Sequence, residues 1–189
     1  MFTKITRVAA MFGCALAAGT ALAAYPEKPI TVVVPFAAGG PTDVVARTLS
    51  QAMGTQLKGS LIVENAGGAG GTIGAGKVAR AAGDGYTLLF HHIGMSTAPS
   101  LYRKLDFKPL DDFIPIGAVV DVPMTLIAKP QTTQTNAKDL LAYIRANKEK
   151  INLANAGVGS ASHLCGLLLQ SAMKTDLTTV PFSGTGPAM

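Results

Sequence analysis

The sequence predicts an α/β protein built on a mostly parallel sheet with helices on both faces. Strand-like apolar runs alternate with segments of helical period, and most runs end in a glycine- or serine-rich loop that opens a helix. That alternation is the mark of β-α-β units. The alternation also breaks near residues 115–125 and then resumes, which reads as a crossing into a second α/β lobe.

The elements follow in order. After Pro26 and Pro29 the run 30–35 is a strand, and Pro41–Leu57 is a helix with Val44, Val45, Leu49, Ala52 and Met53 near helical spacing. Pro41 suits the first helical turn, where its missing N–H costs nothing. Leu61-Ile62-Val63 is a short strand; Gly67-Gly68-Ala69-Gly70-Gly71 leads into a helix over 72–81. Gly83-Asp84-Gly85 turns into a strand over 86–90, and a helix is expected over 96–104. Strands are expected at 114–119 and 124–128 with no helix between them. Asn136 to Lys150 is an amphipathic helix, with Leu140, Leu141 and Ile144 inward and Lys138, Arg145 and Lys148 outward. A strand at 151–154, a helix over 160–173 and a strand at 178–182 complete the pattern. The expected organisation is a signal segment 1–23, a first lobe 24–120 and a second, partial lobe 121–189.

Lys4 and Arg7, an apolar run from Val8 to Leu22 and the small residues Ala21-Leu22-Ala23 form a secretory signal with an A-x-A site. Cleavage is expected after Ala23, giving a periplasmic protein. Lipid attachment at Cys14 is the poorer reading, because Met11-Phe12-Gly13-Cys14 fits that signal badly. Removing residues 1–23 takes away both cations and no acid, so the charge falls from +5 to +3. The remaining cations are scattered rather than gathered on a face, which excludes a nucleic-acid footprint. Cys165 is then the only cysteine, so no internal disulfide forms and a core must hold the fold; 48% apolar residues supply one.

Several motifs invite sharper chemistry and fail its requirements. GTIGAGKV (71–78) approaches a phosphate loop, but Val78 stands where the Mg²⁺-holding hydroxyl belongs and Lys77 falls inside the expected helix. His91-His92 close a strand, where adjacent side chains point to opposite faces, so they do not share a metal. One ring is expected to face the cleft. Ser160 and His163 lie one helical turn apart, yet no acid orients the imidazole and no G-x-S-x-G elbow is present. Ser160 reads as a helix N-cap, and Cys165 among Leu164, Leu167 and Leu168 as a small buried apolar residue. No catalytic residue, metal or cofactor is expected.

The loops offer a different chemistry. In open α/β sheets the ligand crevice lies outside the carboxyl ends of the strands. There the chain places 38–43, 67–72, 91–97, 157–163 and 183–187. None of these loops contains Lys or Arg. Helix starts present unpaired N–H groups and a partial positive charge, so several converging on one cleft hold an anion without arginine. The candidate ligand contacts are Ala38, Gly39, Gly40, Thr42 and Asp43; Gly70 and Gly71; Ser96 and Thr97; Gly159, Ser160, Ser162 and His163; Gly184 and Thr185. A carboxylate suits the compartment better than a phosphate ester.

An ordered set of stretches resembles the Bug family, the extracytoplasmic solute receptors of tripartite tricarboxylate transporters. Tyr25-Pro26-Glu27-Lys28-Pro29-Ile30 with Val34-Pro35-Phe36, Gly39-Gly40 and Thr42–Arg47 comes first. Val63-Glu64-Asn65 with Gly68–Gly71 and Ile73-Gly74 follows, then Asp84–Leu89 and Ser100-Leu101-Tyr102 through Asp112-Phe113. Gly159–Leu164 and Val180–Ala188 finish the series. The resemblance implies a two-lobed, type II periplasmic binding protein fold and a monomer that closes on a small carboxylate. It implies that the proximal carboxylate rests on loops 37–43 and 159–163, and that integral-membrane transporter subunits receive the ligand. A receptor passing its bound state to a membrane signalling kinase is the alternative. Family members often carry prolines where Ala37 and Ala38 stand, Arg-Pro at Ala66-Gly67 and Tyr-Lys at Phe182-Ser183. They also run to about twice a usual single-domain length. The C-terminal part of the fold, with the return crossings to the first lobe, is therefore expected to be missing, and poor stability with weak binding or none is expected of 189 residues alone.

Overall fold

Val32 and Val34 point to one side of the first strand and Thr31 and Val33 to the other, and both sides are covered. In the computed structural model, which describes residues 25–189, this strand, β1 (Ile30–Val34), is the centre of a three-stranded parallel sheet of order β2-β1-β3. A continuous apolar run is what a strand buried on both faces requires. The expected signal segment, with Cys14, lies outside the described residues.

β2 (Leu61–Asn65) pairs with Leu61 opposite Ile30, and β3 (Thr87–Leu89) with Thr87 opposite Thr31. Helix α1 (Pro41–Leu57) makes the crossover between β1 and β2. It opens on Pro41 and closes on Lys58 in the left-handed region, whose N–H returns to Gly54 O. Ala46 of α1 packs on Val32, Val34 and Phe36. Helix α2 (Thr72–Ala79) takes the other face: a Cβ on Gly74 would come within 2.6 Å of Pro35 Cβ, so only glycine lets the helix approach so closely. The first crossover runs from β1 to β2 and the second back from β2 past β1 to β3; connections of one hand that run in opposite directions put helices on both faces, as expected. Helix α3 (Gly94–Leu101) begins earlier than the expected 96 and stops before Tyr102, which is extended.

A second parallel pair, β4 (Asn152–Asn155) and β5 (Thr178–Pro181), has Asn152 opposite Thr178. Helix α4 (Ala137–Ala146) precedes it and is capped by Asn136, whose side chain accepts from the Asp139 amide. A separate 3₁₀ turn, Lys148–Lys150, replaces the continuous helix to 150. Helix α5 (Ala161–Met173) connects the strands, and a short helix α6 (Thr185–Ala188) follows them. Ile144, Met173 and Leu177 form this part's core, with Leu140, Leu141, Ile151, Leu153 and Leu169 against it.

Two further expectations are corrected here. Residues 113–129 carry neither strand nor helix, and Ile114 and Ile116 are 92% and 85% exposed. Their apolar pattern fits a strand, but among the described residues no strand runs beside them, and a ladder needs a partner. Cys165 is exposed rather than buried. The buried positions of α5 are Gly166, Gln170 and Met173, so Cys165 sits off that face with Leu168, itself 70% exposed.

Candidate functional site

The loops at the carboxyl ends of both sheets meet along one seam. The Ala37 amide donates to Ser183 O at 3.1 Å, tying the loop after β1 to the loop after β5. Gly67 and Gly184 sit against Ala37, where a Cβ on either would come within 3.2 Å and 2.8 Å of its nitrogen. Gly40 faces Thr185 across the same junction. On the other side Tyr102 Oη donates to Val158 O at 2.8 Å, and Thr97 Oγ1 reaches Gly159 O at 3.3 Å. Gly70 closes the gap: its φ is +62°, and a Cβ there would lie 1.9 Å from Val158 O. No other residue both tolerates that backbone and permits that approach.

Helix starts open onto this seam. Gly40 caps α1 with no side-chain bond and Pro41 lacks an N–H, so the amides of Thr42 and Asp43 have no helical acceptor. Gly71 caps α2, again without a side-chain bond, whereas at the start of α3 the Gly94 amide is held by His92 Nδ1 and the Met95 amide by His92 O. Ser96 and Thr97 lie in the first turn of α3, and Ala38 and Gly39 form the exposed tip of the first loop. Lys77, the lysine of the near-phosphate-loop, is in the last turn of α2 and pairs with Glu64 away from the seam.

Asp43 is buried and its carboxylate is fully engaged. Gly39 N–H and Arg47 Nε each donate to Oδ2 at 2.9 Å, and Asn65 Nδ2 donates to Oδ1 at 2.9 Å. Asn65 also donates to Phe36 O at 3.0 Å, and Arg47 reaches Asn65 Oδ1 at 2.9 Å. The Arg47 guanidinium, with the Gly39 and Asn65 donors, holds the Asp43 carboxyl down at about 2 against the opposing effect of burial. Asp43 thus fixes the shape of loop 36–40. Arg47 and Asn65 lie in stretches that carry the family resemblance, but nothing in the local pattern marks them for this task.

The GSASH loop is built the same way. Ser160 Oγ accepts the His163 amide at 3.2 Å, the N-cap expected, and Ser162 Oγ accepts the Ala156 amide at 2.9 Å. The two hydroxyls stand 3.1 Å apart, so one donates to the other and a single O–H remains for any ligand. Ser160 is 1% exposed, which leaves Ser162 as the one able to offer it. His163 Nδ1 accepts the Gly159 amide at 3.2 Å, so it faces the loop backbone instead of activating Ser160.

His91 and His92 do not point to opposite faces, because β3 has ended at Leu89. Both rings lie on Phe36, His91 edge-on at 5.6 Å and His92 stacked at 4.4 Å. His91 Nδ1 accepts the His92 amide at 2.8 Å and His92 Nδ1 accepts the Gly94 amide at 3.2 Å. An accepting ring nitrogen bears no proton, so each neutral ring carries its hydrogen on Nε2. Burial pushes His92 down to about 4, and burial with the neighbouring His92 pushes His91 to about 3. Among the described residues no cluster of three or more His, Cys, Asp and Glu is arranged to hold a metal.

Comparison with known proteins matches this arrangement to a family. The sequence model of the family described as tripartite tricarboxylate transporter family receptor matches residues 45–189. The chain is 46% identical over 165 residues to a UPF0065 protein of Agrobacterium vitis, covering 87% of this chain and 48% of that one. It is 35% identical to protein BugT of Bordetella pertussis, covering 98% of this chain and 59% of the relative. Among solved structures, the periplasmic binding protein BugD superposes with a TM-score of 0.84 at 56% identity, over 87% of this chain and 55% of that one. MatC of Rhodopseudomonas palustris, solved with bound malate, superposes with a TM-score of 0.79 at 43% identity over 87% and 56%. The chain therefore spans about half the length of these relatives. Its α/β fold is that of the periplasmic binding proteins, and no helix of the described residues is long and apolar enough to cross a membrane. The chain belongs to the tripartite tricarboxylate transporter receptor family, a family of solute-binding receptors rather than enzymes.

Proposed function

We propose that the chain captures a small carboxylate in the seam between its two sheets and delivers it, outside the cytoplasm, to integral-membrane transporter subunits. The observation that carries this reading is the convergence of helix starts and glycine-rich loops on one seam, where the Thr42 and Asp43 amides of α1 have no helical acceptor and the seam's acid, Asp43, is already neutralised by Arg47. Such a seam presents N–H groups to an anion and no free negative charge to repel it. Thr42, Ser96 and Ser162 supply hydroxyls beside the amides of Gly40, Thr42 and Asp43, whereas those of Gly39, Gly71 and Gly159 are already held by Asp43, Gly68 O and His163. Relatives solved with malate and with adipate support the ligand class.

In this reading the segments 24–120 and 121–189 belong to separate lobes that close by hinge motion, and signal removal after Ala23 places the protein in the periplasm. The protein is a non-catalytic monomer without a cofactor. Ser160 spends its oxygen on a backbone amide and His163 its Nδ1 on another, so neither is set for acyl transfer. Calorimetric titration with malate and adipate, each beside its diamide, tests the proposal. Charge-assisted bonds to a carboxylate are about twice as strong as neutral ones, so the diamides should bind at least about tenfold more weakly. Equal affinity for acid and diamide, or no binding of either acid, would sink it.

A further inference from the structure

The edge of the His91 ring reaches the floor of the seam. A methyl on Gly71 would lie 2.8 Å from His91 Nε2. One on Gly94 would lie 3.2 Å from both His91 Cε1 and Gly159 O, and 3.4 Å from Gly70 O. The Cε1–Nε2 edge is therefore turned to the point where loops 66–71, 91–94 and 156–160 come together. Its orientation is over-determined: Nδ1 is held by the His92 amide, and Phe36 meets the ring edge to face.

The proton on Nε2 has no acceptor among the described residues; the ring's one hydrogen bond is through Nδ1. Nor is the atom sealed away, since among the described residues no fully buried side-chain nitrogen or oxygen lacks a partner. A rigid ring with its proton fixed on the outward nitrogen is a directed, uncharged donor. Backbone amides surround a carboxylate from several sides, whereas this donor fixes one oxygen at one place. The ring also cannot swap roles, because moving the proton to Nδ1 would set it against the His92 N–H.

Resting on the carboxylate-receptor reading, we propose that His91 is a direct ligand contact, donating from Nε2–H to an oxygen of the bound acid. His92 is its positioning residue, through the amide that holds Nδ1 and the stack on Phe36. The ligand oxygen it takes belongs to an acceptor group, a carboxylate, hydroxyl or keto oxygen, because the locked tautomer presents no lone pair there.

Histidine-¹⁵N NMR of the whole chain at neutral pH tests this, with malate and adipate as probes and signals assigned through the His91→Gln and His92→Gln variants. Without ligand, His91 should show a protonated Nε2 and an unprotonated Nδ1. On saturation, Nε2 and its proton should shift while Nδ1 stays in place. In affinity measurements His91→Phe, which keeps the ring and loses the donor, should weaken binding by about tenfold, the usual worth of one hydrogen bond. His91→Gln, whose amide nitrogen reaches the same place, should stay within about threefold of the parent. A proton on Nδ1, an Nε2 unmoved in ligand-saturated protein, or a His91→Phe variant that binds as the parent does would overturn the contact and leave the receptor reading intact. Failure of the unaltered chain to bind either acid would overturn both.

Discussion

Asp43 would be a poor residue for an anion site if its charge were free. Its value comes from what it holds: the Gly39 amide, Arg47 and Asn65 together set the turn that presents the first loop. Asp43→Asn keeps the shape but puts an amide where three donors expect an anion. Removing one charged partner of a buried network costs about 1–3 kcal/mol, and urea unfolding at neutral pH should read a loss of that size. The pH dependence has a definite sign. The folded carboxyl sits at about 2 against an ordinary 3.8, so its stabilisation is complete above the ordinary value and lost as pH falls through the folded one. The gap between parent and Asp43→Asn should therefore be constant at neutral pH and close between about pH 4 and pH 2. A gap that persists at pH 2 would show that the carboxylate is not its source.

At the scale of elements, α5 ties the second sheet's loop to the seam, and its start depends on Ser160. Replacing Ser160 by Ala removes the acceptor for the His163 amide, a change worth about 1 kcal/mol at an N-cap. Denaturant unfolding should show that loss, and Ser160→Thr should recover most of it; an alanine variant as stable as the parent would contradict the cap. This start was legible in the sequence, because a serine ahead of an apolar helical run is a local signal. So were the bounds of α1, Pro41–Leu57, although its buried positions are Asp43, Ala46 and Ser50, and Val44 and Ala52 of the apolar set are exposed. The strands expected at 114–119 and 124–128 were misread for a nonlocal reason: alternation shows which residues suit a strand and says nothing of whether a partner lies beside it. Cys165 was misplaced likewise, since the covered side of α5 is decided by Leu153 and its neighbours, which approach Gly166.

For the whole molecule, the sequence marked the loops of the seam by their glycines and serines, because helix starts and tight turns are local. The residues that shape the seam were not legible: Asn65 reaches back to Phe36 across 29 positions and Tyr102 forward to Val158 across 56, and no local pattern encodes such reach. The same dependence on distant partners governs the connection between the sheets. Leu110, Ile114, Ile116 and Ile127 are 93%, 92%, 85% and 63% exposed, along a segment with no pairing among the described residues. Apolar surface this continuous is rare on a stable monomer and invites dye, protease and self-association. The 189-residue chain should therefore bind the dye ANS under native conditions, and limited proteolysis should cut first within 113–129, separating the segment with β1–β3 from that with β4–β5. Ile116→Lys with Ile127→Lys should lower ANS fluorescence without moving the unfolding midpoint, because neither side chain is part of a core cluster. A chain that leaves ANS dark and resists cleavage between 113 and 129 would mean that these residues are covered in solution.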